Sequence, residues 1–166
     1  MRILGLDPGT GIFGFGVIDF APGKKPKIVT AGVITTPPHT PLAERLEEIY
    51  DGIGQIMDET KPDVVAIEKL FFAQNITTGI AVSHARGVAL LQIQKHKTPY
   101  FEYTPLQIKQ TLTGYGRATK KQIQEMVRVH FGLKIVPKPD DAADALACAV
   151  THSLIGDRVS QDKLKT

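Results

Sequence analysis

The sequence has little that would commit it to a membrane, a secretory route or a thiol metal centre. Among 166 residues there is one cysteine, Cys148. A single thiol cannot close an internal disulfide and excludes a multi-cysteine zinc site. Long apolar runs are also missing. Val64 to Ile67 and Val88 to Leu91 fall far short of the ~20 residues that span a bilayer. The opening Met1-Arg2-Ile3-Leu4-Gly5-Leu6-Asp7 meets an acid too early for a signal peptide. Repeats and low-complexity tracts are absent. These absences predict a cytoplasmic protein with no membrane contact.

What is present is ordinary in amount and uneven in placement. Hydrophobic residues make up 42% and charged residues 22%, the balance of a globular chain able to fold without a disulfide or metal. A single domain over 1–156 is expected, followed by a polar C-terminal tail at 157–166. The net charge is only +3. Between Arg86 and Lys138, however, ten Lys/Arg face two acids (Glu102, Glu125), a local +8, while the remainder carries −5. A segregated basic segment suits a polyanion, because each neutralised phosphate releases counterions. It equally suits a solubilised helix face, so charge alone does not decide between them.

The periodicity gives the architecture. Three apolar, β-branched stretches (2–7, 12–20 and 27–35) joined by short Gly/Pro turns predict an antiparallel meander. Leu42, Leu46, Ile49, Ile53 and Ile56 then step by three and four, one face of a helix bounded by Pro41 and Pro62. A short strand at 63–68, a helix at 76–96, a strand at 99–104 and helices at 105–112, 120–130 and 140 to about 154 follow. Strands fed by helical crossovers beside a hairpin pair make a mixed five-stranded α/β sheet with helices on both faces.

Ligands of such sheets gather beyond the carboxyl ends of central strands. Asp7 closes the first strand and Glu68 the fourth, and a right-handed crossover would bring them side by side. Asp141 and Asp144, three apart on the last helix, share one face, and the alanines around them let that helix lie close to the sheet. Asp140 reads as a helix cap. Four converging carboxylates need cations, and hard oxygen ligands suit Mg²⁺ or Mn²⁺. Two such ions ~4 Å apart suit in-line displacement at a phosphodiester. Taken singly, each acid has a plain structural role as turn former or dipole partner. Gly9-Thr10-Gly11 lacks the Gly-Lys-Ser/Thr ending of a P-loop and is a weak phosphate motif. Cys148 reads as a core thiol, and the histidines lack ligand spacing.

Five segments in order carry a family resemblance: Ile3-Leu4-Gly5-Leu6-Asp7-Pro8-Gly9, Val65-Ala66-Ile67-Glu68 followed by Phe71, Ala85-Arg86-Gly87, Ile108-Lys109-Gln110-Thr111 and Asp141-Ala142-Ala143-Asp144-Ala145-Leu146-Ala147. Together they resemble the RuvC family of bacterial crossover junction endodeoxyribonucleases, the Holliday junction resolvases. The resemblance implies a ribonuclease H-like fold, a homodimer, and Mg²⁺-dependent paired nicking of four-way DNA junctions. It implies two ions per subunit held by Asp7, Glu68, Asp141 and Asp144, and a working partnership with the RuvA–RuvB branch-migration complex. Phe71 matches an aromatic that stacks on an unpaired base, and Lys109 and Lys120 match substrate-binding positions. Tyr115, Arg117 and Lys121 are DNA-contact candidates on charge and placement. Ser83-His84 departs from the family's more usual Gly-Gln, on the helix expected to pair protomers. Three other readings are an actin-like nucleotide hydrolase, which would need a second lobe, a non-catalytic DNA-architecture protein, and a ribonuclease H-like nuclease for other nucleic acids.

Overall fold

A computed structural model describes the backbone of residues 1–70 and 76–163, with the side chains of these except 76–78 and 157–163. The elements are β1 (Arg2–Asp7), β2 (Ile12–Asp19), β3 (Lys27–Thr35), α1 (Leu42–Thr60), β4 (Val64–Glu68), α2 (Ile76–Lys95), β5 (Tyr100–Tyr103), α3 (Pro105–Thr113), α4 (Lys120–Phe131) and α5 (Asp140–Lys163). The helix ends follow local chemistry. α3 and α4 each open on a capping box, Thr104 with Gln107 and Thr119 with Gln122, and each closes on a left-handed glycine, Gly114 and Gly132. α1 stops at Lys61, whose backbone turns left-handed before Pro62.

The sheet runs β3-β2-β1-β4-β5, antiparallel across β1–β3 and parallel across β1, β4 and β5. This is a mixed five-stranded sheet with helices on both faces, the predicted ribonuclease H-like class. Strand alternation then sorts the side chains. Leu4, Leu6, Val65 and Ile67 pack with Ile49, Ile53 and Met57 of α1 and Ala85, Ala89 and Ile93 of α2. Ile3, Val64 and Ala66 pack on the opposite face with residues of α3, α4 and α5, including Ile108, Val127 and Leu146. The predicted α1 stripe holds from Leu46 onward. Leu42, in the first turn, is 39% exposed.

Helix α5 runs nine residues past its expected end near Leu154. No proline follows Pro139, and a lone Gly156 costs a helix only about 1 kcal/mol. Its amino-terminal half lies directly on the sheet because β1 and β2 present glycine there. A Cβ on Gly5 would stand 2.0 Å from the Ala145 carbonyl oxygen, and one on Gly14 would stand 2.2 Å from that of Asp141. Further along, the Tyr103 hydroxyl meets His152 Nδ1 at 2.7 Å, tying the helix to the edge strand β5.

If glycine sets this approach, Gly5→Ala must push α5 outward. Urea unfolding should show a loss of at least about 1–3 kcal/mol, the usual cost of overpacking. Gly11→Ala, where a new Cβ meets only Arg45 Nη2 at 3.5 Å, should stay within about 0.5 kcal/mol of the parent.

Candidate active site

The parallel pairing of β1 with β4 matches Leu6 to Ile67, so Asp7 and Glu68 occupy equivalent last positions on adjacent strands. Leu6 and Ile67 face α1 and α2; one residue on, both acids turn to the α5 side. There the glycine-seated start of α5 delivers Asp141 and Asp144 from successive turns. All four carboxylates predicted from the sequence stand at one end of the sheet.

Their electrostatics follow from that crowding. Burial is the main cause that raises Asp7 to about 7, reinforced by repulsion from Glu68, Asp144 and Asp141 and opposed by Lys120. Burial likewise raises Glu68 to about 7, with Asp144 adding to the shift and Lys109 and Lys120 opposing it. Asp144 is also raised: its burial outweighs the hydrogen bond from Lys120, which alone would lower it. Lys120 Nζ lies 2.7 Å from Asp144 Oδ2. Sequence reasoning assigned this lysine to DNA and did not foresee the ion pair. Asp140 stands apart, bonded to Lys138 Nζ at 2.5 Å and held low first by that lysine and then by Gln124.

Among the described residues, no three acidic, histidine or cysteine side chains close into a ready-made metal cage. The carboxylates face one another and interact through space without sharing a point, as unneutralised like charges should. The chemistry of the donor set still fits a hard divalent cation. Every donor is a carboxylate oxygen, and the Cys148 thiol beneath the site is fully buried, with its pKa pushed up by desolvation.

The basic candidates divide into groups. Glu68, Asp144, Lys109 and Lys120 line one cavity of about 180 Å³. Tyr115 and Lys121 line a separate hollow of about 390 Å³ between α3 and α4, and Tyr115 is 56% exposed. Arg117 is exposed on the loop joining those helices. Phe71 lies outside the described residues.

Fold and site define a class: a ribonuclease H-like protein with a carboxylate centre at the carboxyl end of its central strands. The family profile described as crossover junction endodeoxyribonuclease RuvC matches residues 3–152. A protein of that name from Alkaliphilus oremlandii (strain OhILAs) is 50% identical over 165 residues, 99% of this chain and 100% of the relative. Another from Thermomicrobium roseum is 48% identical over 152 residues, 92% of each. Among solved structures, Thermus thermophilus RuvC superposes with a TM-score of 0.88 at 33% identity, covering 96% of this chain and 97% of that one. The T. thermophilus RuvC complex with a Holliday junction substrate gives 0.87 at 31% identity, covering 95% and 96%. The chain belongs to the RuvC family of crossover junction endodeoxyribonucleases.

The raised carboxyl pKa values carry a sign. A folded-state pKa of about 7 for Asp7 and Glu68 lies above the unfolded value of about 4. Between those values the native state holds more protons than the unfolded one, so stability falls as pH rises from about 4 to 7. Thermal unfolding in chelator should therefore give a midpoint that drops across this window. Asp7→Asn should flatten the drop and leave the metal-free protein more stable than its parent at pH 7.5, by order 1–2 kcal/mol. A parent profile that is flat or rises with pH would contradict the crowding.

Proposed function

We propose that this chain resolves four-way DNA junctions by hydrolysing one phosphodiester in each of two opposed strands, using Mg²⁺ held by Asp7, Glu68, Asp141 and Asp144. The observation that carries the reading is the meeting of two strand ends and one helix start in a half-desolvated acidic site with Lys109 and Lys120 in its wall. Two ions per subunit match the four ligands, and Mn²⁺, with the same oxygen preference, substitutes. When bound, divalent cations supply Lewis-acid activation of the attacking water and stabilisation of the leaving oxygen.

The chain's own residues do the positioning. Asp7 and Glu68 are fixed by paired strands whose register cannot slip without turning a buried face outward. Lys120 pairs with Asp144, and its ammonium would be free for a substrate phosphate if that carboxylate held a cation. Lys109 holds phosphate on the same side. Tyr115, Arg117 and Lys121 extend the contact along the exposed α3–α4 surface, and Phe71 stacks on a base at the opened crossover. Residues 1–156 form the nuclease domain, with 157–166 as a polar C-terminal segment.

Paired nicks call for paired sites, and α2 offers a face for a two-fold dimer. Its outward residues Ile80, His84, Gly87 and Leu91 recur every three or four positions. Ile80 and Leu91 are 51% and 59% exposed, and nothing lies within 4 Å of a Cβ placed on Gly87, so a second helix can approach closely. The same dimer acts in the cytoplasm with the RuvA–RuvB complex. Among the described residues, no helix is long and apolar enough to cross a membrane.

Incubation with a synthetic mobile four-way junction, a linear duplex and ATP, each with and without Mg²⁺, tests the reading. Symmetric nicks on the junction alone, only with the metal, are expected. Asp7→Asn should lose cleavage by at least about 10²-fold while binding the junction as well as the parent or better, since a charge facing phosphate is gone; a variant that still nicks removes Asp7 from the site. Leu91→Glu should sediment as a monomer and lose coordinated nicking. A stable dimer in that variant would move the interface away from α2.

A further inference from the structure

The turn that follows Asp7 is held in an unusual way. Pro8 to Gly11 joins β1 to β2 at the same end of the sheet as the carboxylates. Thr36 N–H donates to the Gly11 carbonyl at 3.0 Å, and the Thr36 hydroxyl donates to the Thr10 carbonyl at 2.6 Å. That hydroxyl in turn accepts from Arg45 Nε at 2.8 Å. Arg45 sits in the first turn of α1, half-buried, with its guanidinium against the turn: a Cβ on Gly11 would lie 3.5 Å from Nη2.

Only one edge of the guanidinium is engaged. Among the described residues, no hydrogen bond or carboxylate pairs with Nη1 or Nη2, although Glu44 is its chain neighbour. An arginine clamped through Nε with its outer fork open has the geometry that recognises phosphate oxygens in pairs. Gly11 beside it is exposed and without a side chain, leaving room for a backbone to come close. The Thr10 hydroxyl, in a residue 8% exposed, is buried without a hydrogen-bond partner among the described residues.

We propose that Arg45, with the Pro8–Gly11 turn, forms a phosphodiester-binding subsite for the DNA strand being cut. It lies on the side of the acidic centre opposite Lys109 and Lys120. Those lysines come from α3 and α4, which cover one face of the sheet; Arg45 comes from α1, which covers the other. A strand crossing the sheet's end over Asp7 and Glu68 is thereby held by cations on both sides of the bond that reacts, which fixes its direction and stops it from sliding. Arg45 acts as a positioning residue. The inference rests on the reading of junction DNA as substrate.

The test is junction affinity as a function of salt, measured by fluorescence anisotropy in Ca²⁺ so that cleavage is silent, with single-turnover cleavage in Mg²⁺ alongside. The parent must bind and cut the junction; if it does neither, the substrate reading fails before Arg45 is at issue. Arg45→Gln should lower affinity roughly fivefold near 0.15 M salt and reduce the slope of log K against log salt by about one phosphate's worth, ~0.7–0.9. Arg45→Lys keeps a charge and should retain the slope, while cutting more slowly for want of the fork. Thr36→Val disturbs the same hydrogen bonds but spares the charge, so its slope should match the parent's. Gly11→Asp, which leaves Arg45 and α1 in place, should reproduce the Arg45→Gln loss even if the latter folds poorly. An unchanged slope in both Arg45→Gln and Gly11→Asp, or a slope in Thr36→Val that falls with them, would overturn the proposal.

Discussion

Like charges forced together away from water are the constraint around which this molecule is arranged. Asp7 and Glu68 end neighbouring strands on the same face and cannot avoid each other without breaking the β1–β4 register. Asp141 and Asp144 arrive on a helix that glycines in β1 and β2 admit to backbone contact. Desolvation raises the first two carboxyls to about 7, so the site holds its charge at neutral pH only at a cost in free energy. Under the proposed function, a bound cation would reverse that cost, and the destabilised ground state would become affinity for the metal.

The Lys120–Asp144 contact shows how the fold tolerates the crowded acids. One ammonium, delivered by the capped start of α4, reaches Asp144, one turn along α5 from Asp141. The pair neutralises one acid of four. Because Lys120 is also a phosphate candidate in the proposed function, the contact would have to be exchanged there, the loss of one ion pair being offset by several charge-assisted bonds. Two members of the basic segment between Arg86 and Lys138, Lys109 and Lys120, share a cavity with Glu68 and Asp144, which gives a mainly repulsive site a positively charged flank.

Much of this was visible in the chain itself. The three-strand meander, the α1 stripe and the capped helices α3 and α4 follow from period and turn chemistry, and each lies within a few residues of its expected place. Asp7 and Glu68 were legible because both close apolar strands, and Asp141 and Asp144 because a spacing of three on a helix has one geometric meaning. The extra length of α5 was not, since a polar segment without a breaker reads the same in a helix as in a tail. Leu42 fits the apolar period yet stays 39% exposed, because period alone does not say which turn of a helix meets the core. Phe71 and its neighbours fall outside the described residues.

The sequence by itself determined the element types, the class of donor available to a cation and the adjacency of the first and fourth strands, because periodicity, residue chemistry and crossover handedness are local or nearly so. Only the tertiary structure decided which charges face each other. Lys120 against Asp144, the open fork of Arg45 against the Gly11 turn, and the depth to which α5 settles on Gly5 and Gly14 are distances between elements far apart in the chain. Such distances are set by how whole faces pack, and no spacing along the sequence encodes them.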